Sequence, residues 1–303
     1  MKRRVTWLLA AVCAALVLAA GLFLAWRQSV QAALRAAEVA ARAELYRQFG
    51  IDAPGTRLFV PLPPVLAHSR GRALIGQALF NDRRLTSSRM SQRLVCGACH
   101  WLGAGGTDSK VHHGVLTRPV YNAPFATSYL HGGSLSNLHA VVGMMIENPH
   151  FSGGGPLADV AARLAGDAAL AARFAHVYGG EGGLTGTNVV DAVVEYMHTL
   201  ITEGTAYDFW CAGHADSFTP GQQRGSEVFL AARCMDCHDG PALGGRKVSG
   251  GRKVSALRGL ALRKAYLTEG KVKDLDAVVH LMPGGEALPP EDRKALVEFL
   301  KVL

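Results

Sequence analysis

Two copies of one five-residue pattern constrain this chain more than any other feature. Cys96-Gly97-Ala98-Cys99-His100 and Cys234-Met235-Asp236-Cys237-His238 both read CxxCH, 138 residues apart in a chain of 303. Thiols three residues apart can each form a thioether with one haem vinyl group, and the adjacent histidine then reaches the iron. A zinc ribbon would set its CxxC pairs roughly 15–20 residues apart. A thioredoxin-like site needs a βαβ context that is missing, and a disulfide pair has no use for a following histidine. The flanks repeat too: Arg72…Ala78-Leu79-Phe80 and Leu102-Gly103-Ala104-Gly105-Gly106 surround the first motif, Arg224…Val228-Phe229-Leu230 and Leu243-Gly244-Gly245 the second. The expectation is two covalent haem c groups, attached at Cys96, Cys99, Cys234 and Cys237, with His100 and His238 as iron ligands. A shorter duplication, residues 245–249 and 251–255, carries no assigned function. Cys211 is isolated, and Cys13 lies in an apolar run.

That run extends from Val5 to Trp26 without a charge, behind Lys2, Arg3 and Arg4. Twenty-two residues at 1.5 Å rise can cross roughly 30 Å of hydrocarbon. Residues 1–26 therefore read as a membrane anchor or signal segment. The run length favours a single-pass anchor in a bacterial inner membrane, and the leading cations place the following body in the periplasm. The alternative is a cleaved signal ending near Ala32 and a soluble periplasmic protein. The net charge of +8 shrinks accordingly, since residues 1–26 carry +3 and residues 27–50 another +2, leaving +3 on the body. With no basic run interleaved with aromatics there, no nucleic acid partner is expected.

Residues 27–66 read as a helical spacer and Pro-rich linker. Beyond them helical periodicity predicts Arg70–Phe80, Leu135–Ile146, one long helix over Leu157–Phe174, Thr187–Leu200, Pro220–Ala232, Asp274–Met282, and a last helix opened by Pro289-Pro290-Glu291-Asp292. No sustained period-2 alternation appears. The expected fold is mainly α, with two cytochrome c-like haem domains in tandem, residues 67–215 and 216–303, behind the N-terminal transmembrane helix.

From Gly71 to Leu303 the chain resembles the bacterial di-haem cytochrome c peroxidases and the methylamine-utilisation-type di-haem enzymes that oxidise tryptophans of partner proteins. The resemblance is carried by Gly71-Arg72-Ala73-Leu74…Leu79-Phe80-Asn81-Asp82-Arg83-Arg84-Leu85, Tyr121-Asn122-Ala123-Pro124, Ile146-Glu147-Asn148-Pro149, Thr219-Pro220-Gly221-Gln222-Gln223-Arg224-Gly225, and the tail from Ala256 to Met282. It implies a peroxidatic haem in the N-terminal domain and an electron-transfer haem in the C-terminal one.

The resemblance puts the second ligand of the C-terminal haem on Met282. His280 is the chemical competitor, and because helix residues two apart point about 200° apart only one of them can face the iron. For the N-terminal haem, His112 and His113 both lie within reach of the far face, and the resemblance matches His113-Gly114, implying a ligand that can leave. It also places a calcium-binding asparagine at Asn122, where a turn-forming asparagine before Ala-Pro serves equally well. The chain departs from the pattern at the distal base: the position of the peroxidases' glutamate is Phe151, and an apolar ring moves no protons. Glu147 and His150 are the nearby substitutes, with His139 beside them. Tyr129-Leu130 occupy the region of a tryptophan between the haems, and Trp101 has no assigned role. His68, His131, His176, His198 and His214 are also left without one.

Three functions are compatible with this reading. The first is a peroxidase reducing hydrogen peroxide with electrons from a small cytochrome c or copper protein. The second is a di-haem oxidase modifying a partner protein. The third is a non-enzymatic electron carrier or redox sensor, encouraged by Phe151.

Overall fold

Helices begin in this chain where a side chain can accept the first free backbone N–H groups. In the computed structural model, which describes residues 21, 59–62, 67–86, 95–151 and 154–303, Ser69 caps α1 (Arg70–Phe80) by accepting from the Arg72 amide. The short α2 (Cys96–Cys99) carries the first motif. Asn137 caps α3 (Leu138–Glu147), and α4 (Leu157–Ala165) follows. Asp167 caps α5 (Ala168–Tyr178), and Thr185 caps α6 (Gly186–Met197). In the second half, Thr205/Asp208 and Thr219/Gln222 form capping boxes that open α7 (Ala206–Cys211) and α8 (Pro220–Ala231). Asp274 caps α9 (Leu275–His280), and α10 (Pro290–Leu300) closes the fold. Among the described residues no helix is long and apolar enough to cross a membrane. The anchor expected over residues 1–26 and most of the spacer over 27–66 lie outside the described residues.

The structure corrects the helix expected over Leu157–Phe174. It breaks at Gly166-Asp167, where Asp167 turns from a helical position into the cap of α5, its Oδ1 accepting from the Leu170 amide at 3.0 Å. A short polar side chain competes with helix backbone for this purpose, and here it wins. Periodicity also misses α7, which is only six residues long.

Among the described residues, two large hydrophobic cores and a small third one (Leu62, Phe125, Ile201 and Ala242) form within residues 59–303, which make one compact unit. The first gathers Ile75, Leu79, Phe80, Phe174, Val193 and their neighbours from α1, α3, α4, α5 and α6. The second gathers Tyr207, Phe218, Phe229, Leu296 and Phe299 from α7, α8 and α10. Each such side chain contributes roughly 1.5–3 kcal/mol by burial. One device repeats in both: a Cβ on Gly76 of α1 would lie 1.8 Å from the Ala192 carbonyl oxygen of α6, and one on Gly225 of α8 would lie 2.1 Å from that of Ala295 in α10. Only glycine permits these crossings.

The repeat seen in the sequence is also a repeat of structure. Each motif is followed by a two-residue-per-strand hairpin, β1 (Val111–His112) with β2 (Val115–Leu116) and β3 (Val248–Ser249) with β4 (Arg252–Lys253). The 245–255 duplication therefore builds a hairpin, its two copies supplying one strand each. Then come a single-turn helix, an isolated bridge (Tyr129 with Leu135, Tyr266 with Val272) and the capped helices α3 and α9. The halves are stitched at a seam: Leu116 N–H donates to Thr268 O at 2.8 Å, Lys253 N–H to His131 O at 2.8 Å and Thr127 N–H to Gly245 O at 3.2 Å.

Arg258 is 0% exposed. Its guanidinium donates to Asp208 and to the Thr202 carbonyl and lies over the Tyr207 ring. Breaking a buried pair leaves an uncompensated charge. Asp208→Ala is therefore expected to lower unfolding stability by about 3–5 kcal/mol, read as a fall in the denaturant midpoint. A change below ~1 kcal/mol would contradict it.

Candidate haem sites

The proximal side of each motif is built the same way. His100 caps α2, with its amide donating to the Cys96 carbonyl at 2.8 Å, and His238 repeats this with Cys234 at 2.8 Å. His100 Nδ1 lies 3.4 Å from the Gly106 carbonyl oxygen, and His238 Nδ1 lies 3.3 Å from that of Leu243. A carbonyl only accepts, so each Nδ1 carries the hydrogen and each Nε2 keeps its lone pair for a metal. Burial pushes both imidazoles below their ordinary pKa, holding them neutral as iron ligation requires. The four motif cysteines are free. Burial drives Cys96 and Cys234 up to about 11 and raises Cys99, in whose case Asp108 adds to the effect.

The second side differs between halves. His113 and Gly114 form the two-residue tip joining β1 to β2, with φ of 51° and 81°. Both are left-handed, as a tight hairpin turn requires. His113 Nε2 donates to the His150 carbonyl at 3.1 Å, and its ring packs edge-on to Phe151 with centroids 6.0 Å apart. The structure thus brings together His113, His150 and Phe151. It separates their neighbours from that group: His112 Nε2 pairs with Asp108 Oδ2 at 2.7 Å, close to Cys99. Glu147 Oε1 accepts from the Leu157 amide at 3.1 Å and so caps α4. His139 pairs with Asp191, and Trp101 is 55% exposed. The corresponding tip of the second hairpin is Gly250-Gly251, which bears no side chain. Met282 is half-buried just past α9, whereas His280 is exposed. Asn122, at φ 61°, spends both ends of its amide on Thr202: Nδ2 donates to the hydroxyl at 2.9 Å and Oδ1 accepts from the backbone amide at 3.0 Å. Its turn role is the one this geometry displays.

Two features escaped the sequence reading. Met145 stands eight residues beyond the cap Asn137, as Met282 stands eight beyond Asp274, so the two methionines share a register position. Counting from the caps would have found it. The other is a cluster of cations at the seam, where Arg118, Lys253, Arg263 and His131 meet without an ion-pair partner among the described residues. The nitrogens Arg118 Nε, Arg263 Nε and His131 Nδ1 are buried and unbonded. Burial pushes Lys253 down to about 8 and Arg263 to about 10, and it lowers Arg118 and His131 too, with Arg118 repelling each of the other three. Buried cations with orphaned N–H groups need anions. The carboxylates of haem propionates are the anions that this chain's own chemistry calls for. The residues present fit haem c on both counts, thioether and imidazole donors at the motifs and cations at the seam.

A family model described as di-haem cytochrome c peroxidase matches residues 70–216. Over 284 residues the chain is 30% identical to cytochrome c peroxidase Ccp of Escherichia coli strain K12, an alignment covering 80% of this chain and 60% of that protein. It therefore spans about three fifths of that relative's length. Over 283 residues it is 26% identical to cytochrome c551 peroxidase of Nitrosomonas europaea, covering 80% and 83%. Its fold matches the crystal structure of a MauG-like protein associated with microbial copper homeostasis, with a TM-score of 0.67 at 18% identity, covering 83% of this chain and 94% of that one. The doubled cradle, the sequence likeness and the shared fold point the same way: over residues 70–216 the chain matches the di-haem cytochrome c peroxidase family, and its fold is MauG-like.

Proposed function

We propose that the protein reduces hydrogen peroxide to water at the N-terminal motif, with electrons from a small cytochrome c or copper protein received at the C-terminal motif. One observation carries this reading: the two cradles are alike on the proximal side and unlike on the other. The first sets a histidine-tipped hairpin against the Asn148–Phe151 segment, while the second has a glycine tip and Met282 at a helix end. Haem iron, when bound, supplies one-electron redox chemistry and a coordination position for peroxide, and a thioether ligand raises the potential where electrons arrive. The chain's own residues do the rest. Cys96 and Cys99, and Cys234 and Cys237, would tether the groups, and His100 and His238 would hold the irons through Nε2. Met282 would be the second ligand in the C-terminal half, and Arg118, Lys253 and Arg263 would neutralise propionates.

Peroxide reduction consumes two electrons and two protons per two waters formed, so a base must stand on the distal side. Phe151 cannot serve. Because His113 donates from Nε2 to the His150 carbonyl, its Nδ1 keeps the lone pair. We assign proton handling to that atom whenever His113 is off the iron, and the second-ligand role to His113 in the resting state. The body is placed in the periplasm, held by the N-terminal segment or released after its cleavage.

The test is steady-state oxidation of a reduced donor cytochrome by the pre-reduced holoprotein. Peroxide-dependent oxidation is expected, and its absence contradicts the proposal. Phe151→Glu is expected to raise turnover by roughly 10²-fold, the typical contribution of a positioned acid–base group. An unchanged rate would show that the missing carboxylate does not limit. The same substitution of glutamate by Phe151 supports a second reading, a di-haem oxidase acting on a partner protein. That reading expects feeble small-donor turnover alongside peroxide-driven modification of the partner.

A further inference from the structure

Glu195 is a carboxylate buried where no fixed cation meets it. It is 5% exposed, and among the described residues it forms ion pairs with His68 and His198 alone. Its Oε2 accepts from the Ser69 amide at 2.9 Å, which explains one oxygen. Its Oε1 lies 3.1 Å from His68 Nδ1 and 3.8 Å from His198 Nδ1. The three potential ligand atoms all lie within 4.8 Å of one another. Ligands held tetrahedrally at about 2.0–2.1 Å from zinc stand about 3.4 Å apart, so the cluster is already near the size of a coordination shell.

The sequence explains the arrangement. Glu195 and His198 sit three apart at the end of α6, His198 keeping a helical φ of −64° as the cap, so both project from one face. His68 immediately precedes Ser69, the cap of α1. The close crossing of α1 and α6 at Gly76 brings these two ends together. A buried carboxylate whose ion-pair partners among the described residues are both imidazoles is one that a divalent cation would balance. The His68 side chain is 82% exposed, so an ion can enter without opening the core.

We propose that His68, Glu195 and His198 form a binding site for one divalent transition-metal ion of the zinc class, separate from the haem motifs and using none of their residues. Two imidazole nitrogens and a carboxylate oxygen suit Zn²⁺ well, with water completing the shell. The ion would staple the residue entering α1 to the end of α6. The site does not depend on the peroxidase reading.

The experiment is Zn²⁺ titration of the full-length holoprotein by calorimetry after treatment with a chelator, since thioether-bound haem is retained. One Zn²⁺ per chain is expected, and it raises the thermal midpoint. Glu195→Gln changes a buried group and risks the fold, so the decisive variant is His68→Ala at an exposed position. It is expected to weaken binding at least ~10-fold and to abolish the Zn²⁺-dependent rise in midpoint, with His198→Ala doing the same. His176→Ala, an exposed histidine on α5, is expected to bind as wild type does. If wild type takes up no Zn²⁺, or His68→Ala binds as tightly as wild type, the three side chains are a hydrogen-bonded cluster only and the proposal falls.

Discussion

Replacing His100 with alanine is expected to lower peroxide turnover by at least ~10³-fold, the scale on which groups acting as a unit with the reacting centre are lost. The C-terminal haem should still be reducible by the donor. The asymmetry follows from construction. His100 and His238 are held by equivalent carbonyl hydrogen bonds on separate motifs, so removing one imidazole leaves the other cradle intact. Thioethers at Cys96 and Cys99 would keep the group attached, so the loss would report ligation rather than cofactor content. Donor-oxidation kinetics beside an absorption-monitored reduction distinguish the two. A variant that keeps more than a tenth of wild-type turnover would show that chemistry does not occur at this motif.

The second large effect is expected at the seam. Arg263→Glu sets a carboxylate among groups that otherwise meet haem propionates, and it removes a cation whose Nε is buried and unbonded in the chain alone. The haems stay covalently attached, but a carboxylate in place of the cation should lower a haem reduction potential, measured by redox titration. Arg263→Lys, which retains the charge, should titrate as wild type does. Equal potentials in wild type and Arg263→Glu would mean that the cations serve another anion.

Lys253 gives the same idea a pH signature. An exposed lysine titrates near 10.4, and Lys253 is pushed down to about 8, first by burial and then by Arg118. A base whose folded pKa is lowered destabilises the fold while it must carry charge. The penalty is fully present below about pH 8 and fades as pH rises towards 10.4. A haem-free Cys→Ala motif variant should therefore gain stability over that window, by up to about 3 kcal/mol. Adding Lys253→Met should flatten the rise. Denaturant midpoints across pH 7–10 test this, and a midpoint falling equally in both would contradict it.

What the sequence made legible is what local chemistry dictates. The CxxCH motifs are contiguous, and one haem fixes their spacing, so both cradles are legible in the sequence alone. The caps at Ser69, Thr219 and Asp274 are likewise short-range, and the helices after them start at or within a residue of where periodicity places them. The break at Asp167 was missed because an alanine-rich apolar pattern runs through it, and one cap bond decides the outcome. Sequence position makes Glu147 a candidate proton carrier, but its partner is an amide ten residues on. No periodicity signals that contact. The seam cations come from positions 118, 131, 253 and 263, and His68 meets Glu195 across 127 residues. Such pairings are set by tertiary packing, and a single sequence carries no mark of them. Histidines 68, 131 and 198 were passed over for that reason.

We propose two haems of unequal ligation, one receiving electrons and one that opens to peroxide. A redox titration of the purified holoprotein, followed by absorption and EPR, distinguishes them. Two haems per chain are expected, with a higher-potential low-spin His/Met centre that reduces first. A high-spin signal, responsive to cyanide, is expected to develop at the other centre after one electron has entered. A single haem, or two centres that stay six-coordinate and low-spin at every potential, would contradict it.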